Sequence, residues 1–197
     1  MSDISRRALI AGSAALALTA HRAFALTEAE ARRLIGSAVA EINSVINSGR
    51  SASSMYGSFE TIFRKYADVP NIARTALGPP ARSASSSQMR DFTAAFAGYM
   101  ARKYGKRFRE FAGGTVEVTG ARAVKSFQEV LAVAKLPGQA PFAVSFMVSD
   151  KSGSDRFFDL LIEGISLLKS ERAEIGAMLD RRGGDIDALI GDLKRAG

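Results

Sequence analysis

Asp159 is the clearest candidate for chemistry, because it is the only acid within the apolar run Arg156–Ile162. Burial among apolar side chains makes a carboxylate a stronger base, so Asp159 could act as a catalytic group, as in small α+β isomerases. The alternative is that this carboxylate accepts hydrogen bonds from the neighbouring backbone or from Arg172. We favour the structural role, because a Glu-Gly turn and the potential helix cap Ser166 follow at once.

The first 25 residues have the pattern of a secretory signal peptide. Arg6 and Arg7 precede an Ala-rich apolar run to Ala20, and residues 23–25 give the small-x-small pattern of a cleavage site. We expect cleavage after Ala25. The arginine pair resembles a twin-arginine export signal, although an ordinary Sec signal has the same features. An uncleaved membrane anchor is disfavoured, because the run is shorter than the ~18 residues of a spanning helix.

Cleavage would leave few groups for catalysis. The chain has no cysteine, and its single histidine, His21, belongs to the leader. Loss of three arginines and one aspartate would also lower the net charge from +7 to +5. A mature chain without His or Cys excludes histidine bases, catalytic triads with His and zinc sites built from nitrogen and sulfur ligands. We therefore expect no catalytic residues, no cofactor, no metal and no enzymatic activity.

The periodicity of apolar residues divides the mature chain into helices, strands and helices again. A capping box at Thr27 predicts a helix to about Asn47. Further helices are expected at Ser53–Tyr66, after Asp68 and at Ser86–Phe111.

From Thr115 the period becomes two, which predicts strands. These begin at Thr115 and continue as Gln128–Leu136, Phe142–Ser149 and Arg156–Ile162. Short turns join the predicted strands, which favours an antiparallel meander. Helices near Ser166–Leu179 and Ile186–Leu193 complete the chain. The expected fold is a single α+β domain, residues 26–197, with N-terminal and C-terminal helices packed on a curved antiparallel sheet of about four to five strands.

A basic cluster lies at the end of the fourth predicted helix and comprises Arg102, Lys103, Lys106, Arg107 and Arg109. Cations at a helix C-terminus are stabilised by the helix dipole, so a plain solvated face explains part of it. A docking surface for an acidic partner or anionic lipid head groups is the other interpretation. A nucleic-acid site is disfavoured by the predicted secretion and the interspersed acids.

The C-terminal part resembles the signature of the MlaC family, periplasmic lipid carriers also called toluene-tolerance proteins. The residues that carry the resemblance are Asp159, the segment from Ile162 through Glu163, Gly164 and Ser166 to Leu167, and Arg172. Ile72-Ala73-Arg74, Leu77-Gly78, the aromatic helix before the strands and the Gly184–Leu193 segment agree in the same order. The resemblance covers nearly all of the mature chain.

This resemblance implies an apolar cavity between the helices and the curved sheet that takes up the acyl chains of a phospholipid. The residues expected to line it are Phe96, Met100, Val116, Val118, Val130, Val144, Phe146, Phe158, Leu160 and Ile162. The same residues also fit an ordinary packed core, and periodicity does not separate the two. The basic cluster would contact head groups or partners, and the signature residues Asp159, Glu163, Gly164, Ser166 and Arg172 would be structural.

The function implied by the resemblance is a monomeric periplasmic shuttle. It would pass phospholipid between an outer-membrane lipoprotein complex and the MCE-domain protein of an inner-membrane ABC transporter, and so maintain outer-membrane lipid asymmetry. A carrier of hopanoids or other apolar lipids is the alternative within the family. Alternatives of other classes are an adaptor for an envelope complex and a small α+β enzyme that uses Asp159.

Overall fold

The computed structural model describes residues 26–109 and 111–197, with side chains for all of these except residues 108 and 109. The predicted signal peptide, residues 1–25, lies outside the described residues. The helices are α1 (Glu28–Ile46), α2 (Ala52–Tyr66), α3 (Val69–Leu77), α4 (Ser86–Arg109), α5 (Leu167–Arg181) and α6 (Ile186–Arg195), with a 3-10 turn at Pro79–Arg82.

Local sequence signals account for where these helices begin. Thr27 accepts from the Glu30 backbone N–H while the Glu30 carboxylate accepts from the Thr27 N–H, which is the predicted capping box. Asp68 caps α3 and Ser166 caps α5 through their side chains. Helix α3 ends at Leu77. The next residue, Gly78, has a φ of +73°, which glycine adopts readily, and a Pro-Pro pair follows it.

Five strands form one antiparallel sheet in chain order, which confirms the predicted α+β meander. They are β1 (Thr115–Val124), β2 (Phe127–Lys135), β3 (Phe142–Ser149), β4 (Arg156–Ile162) and the short β5 (Ile165–Ser166). Register shifts interrupt the β1–β2 pairing near Gly120 and the β3–β4 pairing near Val148. The second of these shifts decides which β4 side chains face the interior.

Helix α1 lies on one face of the sheet. Its buried residues Ala31, Ile35 and Val39 pack against alternate residues of β2 and β3, as the period of a strand requires. We call this group the sheet core; its strand members are Val130, Ala132, Ala134, Val144, Phe146 and Val148.

A second buried group lies among helices α3 to α6. We call it the helical core; its large members include Ile72, Phe92, Phe96, Ile175, Leu189 and Leu193. Phe92 and Phe96 lie one turn apart on α4 and their rings stack with centroids 5.9 Å apart. A smaller group, Ala38, Ile62 and Tyr66, lies between α1 and α2. Within the described part of the chain, no helix combines the length and the hydropathy that crossing a membrane requires.

Candidate functional site

The helical core and the sheet core meet at Phe157, the second residue of β4. Its half-buried side chain packs against both cores and against the group between α1 and α2. Its ring lies 6.3 Å from that of Phe63 on α2 and 5.8 Å, edge-on, from that of Phe146 on β3. We call this region the apolar boundary, and Phe157 is the side chain that packs on both cores.

Backbone contacts hold Phe157 at this position. The Phe157 carbonyl accepts a hydrogen bond of 2.8 Å from the Asp68 N–H, and Ala67 forms a parallel bridge to Phe157. The junction between α2 and α3 therefore pairs with the open edge of β4. This pairing joins the helical layer to the sheet beside the boundary.

A β-bulge determines that Phe157 rather than Phe158 faces the boundary. Val148 pairs with Phe157 but Met147 pairs with Asp159, so Phe158 has no partner on β3. A one-residue insertion reverses the alternation of side chains beyond it. Phe157 thus shares a side of β4 with Leu160, and Phe158 makes an edge contact with Phe127, with ring centroids 5.4 Å apart.

The other residues predicted to line a cavity lie on the two sides of the boundary. Three of them are buried in the sheet core: Val130, Val144 and Phe146. Three others are half-buried and pack against that core: Val116, Val118 and Leu160. Ile162 pairs with Val144 at the end of β4. Phe96 is fully buried in the helical core, and Met100 packs on that core. Their role in a cavity stays a prediction, and Phe158 lies on the far side of β4.

Asp159 is held by the backbone at the start of α5. One carboxylate oxygen accepts from the Leu160 N–H at 2.8 Å and the Leu168 N–H at 3.0 Å, and the other accepts from the Ser166 hydroxyl at 2.6 Å. The Ser166 hydroxyl in turn accepts from the Lys169 N–H. These contacts favour the structural interpretation of Asp159.

The remaining signature residues also contact the fold itself. The Arg172 guanidinium lies against Gly78, 3.5 Å from the position that a Cβ would occupy, so the Leu-Gly segment and Arg172 meet in space. Glu163 and Gly164 form the tight turn between β4 and β5, with φ of +50° and +78°. Glu163 donates its N–H to the Ala143 carbonyl at 3.0 Å, and its carboxylate accepts from the Ala143 N–H.

The predicted basic cluster does not form one exposed face. Arg102 donates to the carbonyls of Leu193 and Ala196, at 2.6 and 2.9 Å, and so holds the C-terminus. Lys103 turns towards α5. Lys106 and Arg107 are exposed. The side chain of Arg109 lies outside the described residues.

Lys103 belongs to a polar network between α4 and α5 that the sequence analysis missed. Its Nζ donates to Glu171 at 2.7 Å and to Glu174 at 2.5 Å. Tyr104 donates to the same Glu171 oxygen at 2.5 Å, and Tyr99 donates to Glu174 at 2.6 Å. Glu171 is only 1% exposed, and its second carboxylate oxygen has no partner among the described residues.

Burial, with hydrogen bonds to the carboxylates, raises the pKa of the Tyr99 and Tyr104 hydroxyls. Partial burial lowers the pKa of Lys103, but its hydrogen bonds to Glu171 and Glu174 outweigh this and raise it. The spacing of residues along α4 or α5 does not predict this network, because the side chains that bond to each other are about 70 residues apart in the sequence.

Two clefts open on the surface of the described part of the chain. The first, of about 340 Å³, is lined by Asp68, Asn71, Ser126, Phe127, Ser149, Lys151, Ser152, Arg156 and Phe158. The second, of about 270 Å³, lies between α1 and α2 and is lined by Glu41, Ser44, Val45, Ser58, Thr61 and Ile62. Among the described residues, no group of three or more His, Cys, Asp or Glu side chains could hold a metal ion.

The fold and the site define an α+β protein with two apolar cores that meet at a single aromatic side chain. The chain belongs to the MlaC family: the family model, described as MlaC protein, matches residues 36–195. The structure is also similar to that of a phospholipid-binding protein from Ralstonia solanacearum, solved in complex with a phospholipid. The two chains are 19% identical, with a TM-score of 0.71, over 84% of this chain and 95% of the other.

Proposed function

We propose that the protein binds a phospholipid by taking its acyl chains into the apolar boundary at Phe157, and that it acts as a carrier rather than an enzyme. The observation that carries the proposal is the division of the core. In a chain of the MlaC family, two apolar cores meet at one half-buried ring. The lipid bound to the Ralstonia solanacearum relative supports this choice of ligand.

The energetics favour such a site. Removal of apolar surface from water stabilises by ~25 cal/mol per Å², so the acyl chains of a lipid need an apolar enclosure to cross an aqueous compartment. Displacement of Phe157 would expose Leu160 and Phe146 on the sheet side, and acyl chains would cover the same surfaces. Phe63 on α2 would form part of the opposite wall, and Phe96 and Met100 of the helical core stay predicted lining residues.

The finer role that we propose follows the family. The chain would be exported by its leader, act as a monomer in the periplasm and exchange phospholipid between an outer-membrane lipoprotein complex and the MCE-domain protein of an inner-membrane ABC transporter. This traffic would maintain outer-membrane lipid asymmetry. An enzymatic role for Asp159 is disfavoured, because both of its oxygens accept hydrogen bonds from the fold.

Mass spectrometry of the bound material tests the proposal. Full-length protein exported to the bacterial periplasm and purified without detergent is denatured and extracted with organic solvent. We expect a diacyl phospholipid in about stoichiometric amount. A hopanoid in its place would keep the carrier function and change the cargo. Protein that carries no lipid, and takes up none from phospholipid vesicles after refolding, would contradict the proposal.

A further inference from the structure

The 340 Å³ cleft at the start of β4 combines features of a binding site that the acyl-chain boundary does not use. Four segments build it: the β1–β2 turn with Ser126, the β3–β4 turn with Ser149–Ser152, the first residues of β4, and the start of α3 with Asn71. Its volume falls in the range of small-molecule sites, about 300–1,000 Å³.

Two cations line the cleft. Arg156 is half-buried, and its guanidinium has no hydrogen bond or ion pair to another described residue. Lys151 donates to the Ser126 hydroxyl at 2.7 Å, which orients its ammonium group. Ser149 and Ser152 also line the cleft, and the Ser149 hydroxyl accepts from the Lys151 N–H at 3.2 Å. Guanidinium, ammonium and hydroxyl groups are the side-chain donors that bind phosphate oxygens.

The acids near the cleft leave its lining with a net positive charge. Asp68 is the only carboxylate among the lining residues, and one of its oxygens accepts from the Asn71 N–H as the cap of α3. Asp150 adjoins the cleft in sequence, but it accepts from the Leu26 N–H at 3.2 Å. Asp155 precedes Arg156 and is not part of the lining.

The cleft and the apolar boundary lie on opposite sides of the first residues of β4. Phe157 faces the boundary, and the next residue, Phe158, lines the cleft together with Phe127. Asp68 also contributes to both, since its N–H holds the Phe157 carbonyl and its side chain lines the cleft. A lipid with its acyl chains at Phe157 would have to pass around the start of β4 to place its head group in the cleft.

We propose that this cleft binds a phosphate group, with Arg156 and Lys151 as its cationic contacts and the hydroxyls of Ser126, Ser149 and Ser152 as its neutral donors. The phosphate could belong to a lipid head group or to a small phosphate ester. The head-group source rests on the proposed lipid-carrier function, whereas binding of a free phosphate ester does not.

The first experiment uses a phosphate without acyl chains. Glycerol 3-phosphate is titrated into the 15N-labelled protein, and the backbone amide signals are followed. We expect saturable shifts at Ser126, Lys151 and Ser152. The double variant Lys151→Gln/Arg156→Gln should weaken binding about tenfold or more, as expected for lost charge-assisted hydrogen bonds.

The matched control is Arg50→Gln/Lys169→Gln, which removes the same charge from two exposed positions outside the cleft and the basic cluster and should bind like the wild type. Absence of shifts at the cleft, or equal weakening in both double variants, would overturn the proposal. Circular dichroism melts of both variants confirm that they remain folded.

The second experiment identifies the source of the phosphate. Dihexanoyl phosphatidylglycerol is compared with dihexanoylglycerol, which lacks the phosphate. If the cleft holds a lipid head group, the cleft variant loses about tenfold in affinity for the phospholipid and none for the neutral lipid. An unchanged phospholipid affinity, with glycerol 3-phosphate binding lost, would assign the cleft to free phosphate esters. If neither lipid binds the wild type, the carrier function fails and the glycerol 3-phosphate result still stands.

Discussion

The helical core and the sheet core are closed to different degrees. In the helical core, Phe92, Phe96 and Ile175 are fully buried. Among the described residues, seven partly buried apolar side chains pack on each core, but the helical core has nineteen buried members and the sheet core ten, so the rim is a larger share of the sheet core. The rim of the sheet core comprises Leu34, Val116, Val118, Ala121, Phe142, Phe157 and Leu160. Interiors are normally packed to crystal-like density, so a half-exposed apolar rim marks the place where a ligand can add contacts. We therefore propose that the helical core is the scaffold and that a ligand binds on the sheet side.

The two regions are also fastened differently. Beside the helical core, Lys103 and Tyr104 bond to the buried Glu171, and a charge that loses its buried partner costs several kcal/mol. On the sheet side, the ring of Phe157 packs against the rings of Phe63 and Phe146. This contrast predicts that substitutions in the helical half reduce stability, whereas those at the boundary change ligand binding more than stability.

The largest loss of stability is expected from the helical core. Phe92→Ala should lower the free energy of unfolding by about 3–5 kcal/mol, because it removes a fully buried ring and leaves a cavity. Urea unfolding followed by circular dichroism measures the loss. Phe158→Ala, at a half-buried ring on the cleft, serves as the control and should cost less. Equal losses at the two positions would contradict the contrast between the scaffold and the binding side.

Lys103→Met should cost about 3 kcal/mol, because it leaves the Glu171 carboxylate buried with only Tyr104 as a partner. The same denaturation experiment measures it, with Lys106→Met on the exposed part of α4 as the matched control. The double variant Lys103→Met/Glu171→Leu removes both charges and should recover much of the loss. If Lys103→Met unfolds at the wild-type urea concentration, the network does not fasten α4 to α5.

Asp159→Ala should lower stability by about 2 kcal/mol, because the carboxylate caps the start of α5 with hydrogen bonds to two backbone N–H groups and the Ser166 hydroxyl. The amount of lipid bound per folded molecule should not change. Asp155→Ala, which removes an acid four residues earlier, is the control. A variant with wild-type stability but no function would restore the catalytic interpretation of Asp159.

The smallest effect concerns alkaline pH. Burial and the hydrogen bond to Glu171 raise the pKa of Tyr104, so the unfolded chain loses this proton before the folded chain does. The raised pKa of Lys103 acts in the same direction. The stabilisation is therefore complete below about pH 10 and is lost as the pH rises further.

Urea unfolding between pH 9 and about pH 11 measures this fall in the free energy of unfolding. The fall should be shallower in Tyr104→Phe, which removes the titrating hydroxyl. Tyr56→Phe, outside the network, should keep the wild-type slope. The same slope in Tyr104→Phe as in the wild type would show that Tyr104 does not contribute to the pH dependence.

Local signals in the sequence predicted most of the fold. The capping residues Thr27 and Ser166 and the ranges of β3 and β4 are all confirmed. Such features depend on a few adjacent residues, so they can be read without knowledge of tertiary contacts.

The candidate site was less predictable, because it depends on contacts between distant segments. A single bulge reversed the expected sides of Phe157 and Phe158, and regular alternation gives no sign of it. Lys103 was grouped with the exposed cations because α4 alone does not reveal Glu171 on α5. Arg102 likewise turned inward to carbonyls at the C-terminus, more than 90 residues away.

Phe157 and Phe158 are neighbours in sequence but lie on opposite sides of β4, so they give the most direct test of where the acyl chains bind. The chain has no tryptophan, so Phe157→Trp and Phe158→Trp each introduce a unique fluorophore on one side of β4. Each variant is loaded with phosphatidylcholine that carries brominated acyl chains, which quench tryptophan on contact, and is compared with the same protein loaded with the unbrominated lipid. We predict strong quenching at position 157 and little at position 158. Equal quenching at both positions, or stronger quenching at 158, would contradict the claim that acyl chains enter at the apolar boundary.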